Sequence, residues 1–121
     1  MTISPELYLA KTNARKLSRE MIKTVFLITE QVPPNEFKTN LRKKVLEISS
    51  SIAHATVQVV KEVQAAHYVA IMGEIRALLH LINEGKEHGF VSDHGFVLVR
   101  VSISDLICSL DYLTKWIGCF K

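Results

Sequence analysis

Four side chains near residue 90 are of the types that bind metal ions. Glu84 and His88 are four residues apart, and Asp93 and His94 follow within six residues of His88. Carboxylate oxygens and imidazole nitrogens bind zinc and related cations only where they converge on one point. The chain also lacks the Glu-x-x-His pairs that helix bundles use for di-iron centres. We therefore predict a polar connection here, with no metal and no cofactor.

A second pair, Arg76 and His80, could belong to a nuclease site in which the histidine acts as an acid or base. Helical RNases of the HEPN group use such a pair, but with a wider spacing than the three residues that separate Arg76 from His80. His54 and His67 have no partner nearby in the sequence and are expected at the surface or in the core. We therefore predict a protein that is not an enzyme, with a helical RNase as the alternative.

Basic residues are concentrated in the first half of the chain. The net charge of the 121 residues is +3, and residues 1–60 hold nine Lys and Arg against five acids. Lys11, Arg15, Arg19 and Lys23 recur every four residues, which places them along one side of a helix. The residues that we predict to bind nucleic acid are Lys11, Arg15, Lys16, Arg19, Lys23, Lys38, Arg42, Lys43 and Lys44.

The last four of these residues lie in the first turns of a second predicted helix. Cations there oppose the helix dipole by about 0.3–1 kcal/mol each, so helix stability alone does not favour them. A polyanion that contacts both helices would offset this cost, because each neutralised phosphate releases counterions. A solvated basic surface without a partner is the other interpretation, and the sequence leaves both open.

The basic residues lie on segments with the apolar periodicity of amphipathic helices. The first helix is expected over about residues 6–31, because Pro33 and Pro34 disfavour helix in the residues before them. The second begins at Glu36, with Asn35 as its cap. Its apolar positions follow steps of three and four residues: Leu41, Val45, Ile48, Ile52, Ala55 and Val59.

Two further helices complete the pattern. The third begins after a bend somewhere within residues 57–65, a stretch without Gly or Pro. It ends close to Gly85 and Gly89, since glycine can take the left-handed conformation that closes a helix. The fourth begins at Ser92 or Asp93 and carries the most regular apolar spacing in the chain.

Composition and connection lengths together predict the fold. The chain is 48% hydrophobic and has only five glycines and three prolines, which favours helices over a sheet with frequent turns. Short connections after the first and third helices require antiparallel neighbours. We therefore predict an all-α fold, an antiparallel up-down-up-down four-helix bundle that forms one domain over residues 1–121.

The fourth helix is apolar on more than the side that a single bundle buries. The excess side chains would pack against the N-terminal residues Leu7, Tyr8 and Leu9, or form a subunit interface. We favour the interface and predict a homo-oligomer. The residues assigned to it are Leu98, Val101, Ile107, Tyr112, Trp116 and Phe120.

Cysteine content and hydropathy suggest a cytoplasmic protein. Cys108 and Cys119 would lie roughly 16 Å apart on one helix, too far for a disulfide. Free thiols suit a reducing compartment. The chain begins without a charged and apolar leader, and no apolar run approaches the length needed to cross a bilayer.

Three segments carry a resemblance to a known family. They read ITEQVPPNEF over residues 28–37, LRKKV over 41–45 and SIAHA over 51–55. With the glycines after the third helix and the Leu-rich last helix, they resemble the bacterial four helix bundle protein family. That family includes proteins encoded within 23S rRNA intervening sequences, and it is similar to the accessory variability protein of diversity-generating retroelements.

The resemblance implies a ring-shaped homopentamer whose basic surface binds nucleic acid and a reverse transcriptase. The intervening-sequence branch has Asn-Ile-Ala-Glu-Gly where this chain has SIAHA, which favours the accessory variability branch. We accordingly expect a non-enzymatic, oligomeric accessory protein that binds RNA or DNA. The alternatives are the helical RNase and a protein-interaction scaffold that binds no nucleic acid.

Overall fold

A computed structural model describes residues 5–118, which form four helices and no strand. They are α1 (Pro5–Ile28), α2 (Glu36–Thr56), α3 (Lys61–Glu87) and α4 (Asp93–Gly118). The helices α1 and α3 each pack against both α2 and α4. Because the three connections are short, successive helices run antiparallel, and the predicted up-down-up-down four-helix bundle is confirmed.

The helix α1 ends at Ile28, three residues earlier than the sequence predicts. The Thr29 amide and hydroxyl both donate to the Val25 carbonyl, at 3.2 and 2.8 Å, and the next amide, of Glu30, donates to Leu27 in a tighter turn. After the two prolines, the Asn35 side chain accepts a hydrogen bond from the Lys38 amide at 2.8 Å and caps α2 as predicted. This connection thus brings the start of α2 alongside the end of α1.

The bend expected within residues 57–65 is a four-residue connection between α2 and α3, at 57–60. The prediction that Val59 continues the apolar stripe of α2 is wrong, since its side chain is 92% exposed. The Gln64 side chain is buried and donates to the Ala55 carbonyl at 2.9 Å. The Ala55 carbonyl also accepts from the Gln58 amide at 3.2 Å, so two donors hold the end of α2 at this point although the apolar spacing runs on.

The connection from α3 to α4 uses glycine in two different ways. Gly89 has a φ of +79°, a backbone conformation that other residues rarely adopt. Gly85 lies directly against the Phe37 ring, which stacks on Phe90 with ring centres 5.3 Å apart. The Ser92 hydroxyl accepts from the Gly95 amide at 3.0 Å and is the cap of α4.

The core contains most of the periodic apolar positions of the four helices, with Tyr68 the largest fully buried side chain. Where α1 and α2 cross, the Ser18 and Ser49 hydroxyls are 3.1 Å apart, so small residues allow close approach. By length and composition alone, α3 is apolar enough to cross a membrane, a property that buried core helices share. In the bundle it buries Tyr68, Ile75 and Ile82 against other helices.

Candidate nucleic-acid interface

Three basic side chains of α1 lie exposed on the outside of the bundle: Lys16, Arg19 and Lys23. We call them the basic strip. Helical periodicity turns them outward because Met21 and Val25, on the other side of the helix, are buried in the core. In the part of the chain that the structure describes, none of the three forms an ion pair.

Lys11 and Arg15 lie two turns and one turn before Arg19, respectively, and both are half-buried instead of exposed. Burial and the neighbouring Arg15 charge both lower the pKa of Lys11. Arg15 also acts on the hydroxyl of Tyr68, whose pKa burial raises to about 12, although the arginine charge works in the opposite direction. Arg15 is thus linked to a polar group in the core, and Lys11 is its neighbour on α1.

Three of the four basic residues on α2 have partners within the bundle. Arg42 donates to the Thr29 hydroxyl at 2.9 Å and to the Phe26 carbonyl at 3.2 Å. Lys38 donates to the Val32 carbonyl at 2.9 Å. Lys44 pairs with Glu74 of α3 at 3.3 Å. These side chains connect α2 to its neighbours, so they are less available to a ligand than the sequence predicts.

The α1 terminus explains why cations occur where the α2 dipole disfavours them. The last carbonyls of a helix carry partial negative charge and lack intrahelical donors. Arg42 supplies such a donor to Phe26 at the end of α1. A polyanion is therefore not needed to account for Arg42. Lys43 is the one predicted α2 residue that is exposed, and it forms no ion pair among residues 5–118.

The bundle is electrostatically asymmetric. The helices α1 and α2 carry nine basic and four acidic side chains, whereas α3 and α4 carry five basic and seven acidic ones. One pair of helices is thus positive and the other negative. Such asymmetry orients a polyanion toward α1 and α2 during approach.

The six residues predicted for an oligomer interface do not share one surface. Leu98, Val101 and Tyr112 are exposed, and the Trp116 ring stacks on Tyr112 with centres 6.5 Å apart. We call these four residues the α4 flank. Ile107 is nine residues from both Leu98 and Trp116, which places it on the opposite side of the helix, and it packs partly buried against the core. Phe120 lies outside the described residues.

The N-terminal residues cover the core only in part. Leu7 packs against it, whereas Tyr8 and Leu9 are exposed. A shallow cleft of about 600 Å³ separates Leu9 on α1 from Tyr112 on α4. Packing by the N-terminal segment, the alternative to a subunit interface, therefore does not cover Tyr112 of α4.

The polar residues near residue 90 do not converge. His88 contacts the Glu84 carbonyl at 2.8 Å, and Lys86 pairs with Asp93 at 3.7 Å. Within residues 5–118 no three His, Cys, Asp or Glu side chains are arranged to hold a metal.

Three histidines singled out in the sequence, His54, His67 and His80, lie on α2 and α3. Arg76 and His80 are both exposed on α3. His54 is exposed and His67 is half-buried, and their rings meet edge to face at 5.9 Å. That contact joins the C-terminal end of α2 to the N-terminal end of α3.

Comparisons with family models, with curated proteins and with solved structures found no match for this chain. Membership of the four helix bundle protein family therefore stays a prediction from the three quoted segments.

Proposed function

We propose that this protein is a non-enzymatic homo-oligomer that binds the phosphate backbone of RNA or DNA through its basic strip. The observation that carries the proposal is the exposure of Lys16, Arg19 and Lys23 without an acidic partner in the described part of the chain. Lys43 adds an exposed positive charge on α2, a helix that packs against α1.

Binding of this kind is electrostatic and tolerant of base sequence. Each lysine or arginine that neutralises a phosphate releases condensed counterions, so affinity falls as salt rises. Contacts to phosphates position the nucleic acid and carry little information about its bases. The proposed ligand is therefore any accessible polyphosphate backbone.

A second copy of the chain is the proposed occupant of the α4 flank. The flank is apolar and includes a stacked pair of aromatic rings, a type of group that is enriched in interfaces. Its exposed residues belong to α4, which is part of the negative half of the bundle, whereas the basic strip lies on α1. Association through the flank would leave the strips of all subunits open to one polyanion and raise avidity.

The resemblance adds two finer elements to the proposal. A pentameric ring would present five copies of the strip, and a reverse transcriptase would be a protein partner. Both rest on the quoted segments alone. A cytoplasmic location suits binding to intracellular nucleic acid and belongs to the same proposal.

A pair of charge-matched variants tests the proposal. R19E/K23E reverses two charges on the strip, and R76E/R100E reverses two exposed charges on α3 and α4. We expect only R19E/K23E to weaken binding of a labelled oligonucleotide. The same variant should reduce the slope of log affinity against log salt concentration by roughly 1–2 for each subunit that contacts the oligonucleotide.

Equal losses in the two variants would contradict a localised interface. Wild-type protein that binds no single-stranded or double-stranded nucleic acid at low salt would overturn the function itself. The scaffold alternative, with an acidic protein as partner of the strip, would then replace it.

A further inference from the structure

The hydroxyl group of Tyr68 lacks a hydrogen-bond partner in the described structure, although the side chain is fully buried. Removing a hydroxyl from water without replacing its hydrogen bonds costs free energy. Polar groups inside proteins are therefore nearly always paired. A phenylalanine would fill the same space without that cost, so the oxygen points to a missing partner.

One cation, Arg15, acts on this hydroxyl, and a second cation precedes it on α1. Arg15 is half-buried and close enough to influence the ionisation of Tyr68, and Lys11 is half-buried one helical turn before Arg15. Neither cation forms an ion pair among residues 5–118. Two like charges held together and partly removed from water are unfavourable unless an anion joins them.

We propose that Lys11, Arg15 and Tyr68 form a site for one phosphate group of a nucleic-acid backbone. The guanidinium can donate two parallel hydrogen bonds to phosphate oxygens, and the ammonium adds a compact charge. The phenol donates a third contact from below, and it stays protonated at neutral pH. An anion thus supplies a hydrogen-bond acceptor for the phenol and a negative charge for the two cations.

Access to the hydroxyl is part of the proposal. Arg15 and Lys11 are long and flexible, so their rotation can make room for a phosphate beside Tyr68 while the helices stay in place. The site lies on α1 before the basic strip, so a backbone that follows the strip reaches it in sequence. The inference rests on the proposed function for the source of the phosphate, and free phosphate ions share the same chemistry.

Titration with inorganic phosphate, against sodium chloride of equal ionic strength, tests the site. Thermal melting followed by circular dichroism reports binding as a rise in Tm. We expect phosphate to raise the Tm of the wild type, and Y68F to lower phosphate affinity about tenfold while melting higher than wild type in chloride. R15Q should also lose the phosphate effect.

The control variant is Y8F, which removes the hydroxyl of an exposed tyrosine on the same helix. Its phosphate response should equal that of wild type. A phosphate effect that Y68F and R15Q both retain, or a wild type that responds no more to phosphate than to chloride, overturns the site.

Oligonucleotide binding separates failure of the site from failure of the proposed function. We expect Y68F to weaken binding of a short oligonucleotide as well as of phosphate. Unchanged oligonucleotide affinity in Y68F with loss in R19E/K23E refutes the site and supports the function. A phosphate response without any oligonucleotide binding by wild type supports the anion site, but refutes its assignment to nucleic acid together with the proposed function.

Discussion

The guanidinium of Arg42 lies 4.4 Å from the centre of the Phe26 ring and donates to the carbonyl oxygen of the same residue at 3.2 Å. One side chain of α2 thus covers an aromatic ring of α1 and completes a hydrogen bond at its C-terminal end. Both contacts are stronger for arginine than for lysine, because the planar group stacks and donates at once.

Loss of Arg42 should therefore destabilise the bundle. We expect R42Q to lower the free energy of unfolding by about 1–3 kcal/mol, since it removes a charged donor to Phe26 and Thr29. K43Q, at the adjacent exposed position, should change it by less than about 0.5 kcal/mol. Urea denaturation followed by circular dichroism measures both. Equal effects would show that Arg42 is as dispensable as its neighbour.

Two glycines within α3 should respond to alanine in opposite directions. A Cβ at Gly85 would clash with the Phe37 ring, which is stacked on Phe90, whereas a Cβ at Gly73 meets nothing within 4 Å. We expect G85A to destabilise by about 1–3 kcal/mol through overpacking. G73A should stabilise by about 0.5–1 kcal/mol, because alanine loses less backbone entropy in a helix.

Thermal melting of G85A, G73A and wild type measures both changes in stability. A stabilising G85A would mean that Phe37 moves aside freely and that the contact between α2 and the end of α3 is loose.

Stability at high pH should depend on Tyr68. Burial raises its pKa from the usual 10.0 to about 12, so the unfolded chain ionises first as pH rises. Stability is then intact below pH 10 and falls between about pH 10 and 12. We expect this fall to be about 1 kcal/mol smaller in Y68F than in wild type at pH 11.

Lys11 acts with the opposite sign. Its pKa is lowered, so the folded chain releases this proton earlier and gains stability as pH rises toward 10.5. Urea titrations at pH 8 and pH 11 for wild type, Y68F and the control Y8F isolate the contribution of Tyr68, because Lys11 is present in all three. An identical loss in wild type and Y68F would contradict the buried environment of the phenol.

The helices were predictable because apolar spacing and capping residues are local signals. Asn35 as the cap of α2 and the end of α1 before Pro33 follow from neighbouring residues alone. The end of α2 could not be predicted from neighbouring residues, because the buried bond from Gln64 to Ala55 overrides an apolar pattern that continues to Val59. Long-range contacts of this kind leave no periodic trace in a sequence.

The candidate interface was predictable only in part, for a related reason. Charge and spacing identify basic residues, but they do not distinguish exposed Arg19 from Arg42, which packs on Phe26. Tyr68 occupies an ordinary position in the apolar pattern of α3, and only burial without a partner marks its hydroxyl. That property depends on what surrounds the side chain in three dimensions.

The α4 flank should mediate self-association. Val101 and Tyr112 are eleven residues apart and so lie on one side of α4, three turns from each other. A glutamate at 101 would place a charge in the proposed interface, beside Asp105, and burying it without a partner is costly. We expect V101E to raise the dissociation constant of the oligomer at least tenfold.

The matched control is V69E on α3, since Val69 and Val101 are 56% and 57% exposed. Light scattering and sedimentation equilibrium at micromolar concentration should give a mass above 13.7 kDa for wild type and V69E, and a shift toward the monomer for V101E alone. A monomeric wild type would remove the oligomer, and equal dissociation of V69E would place the interface elsewhere than on the α4 flank.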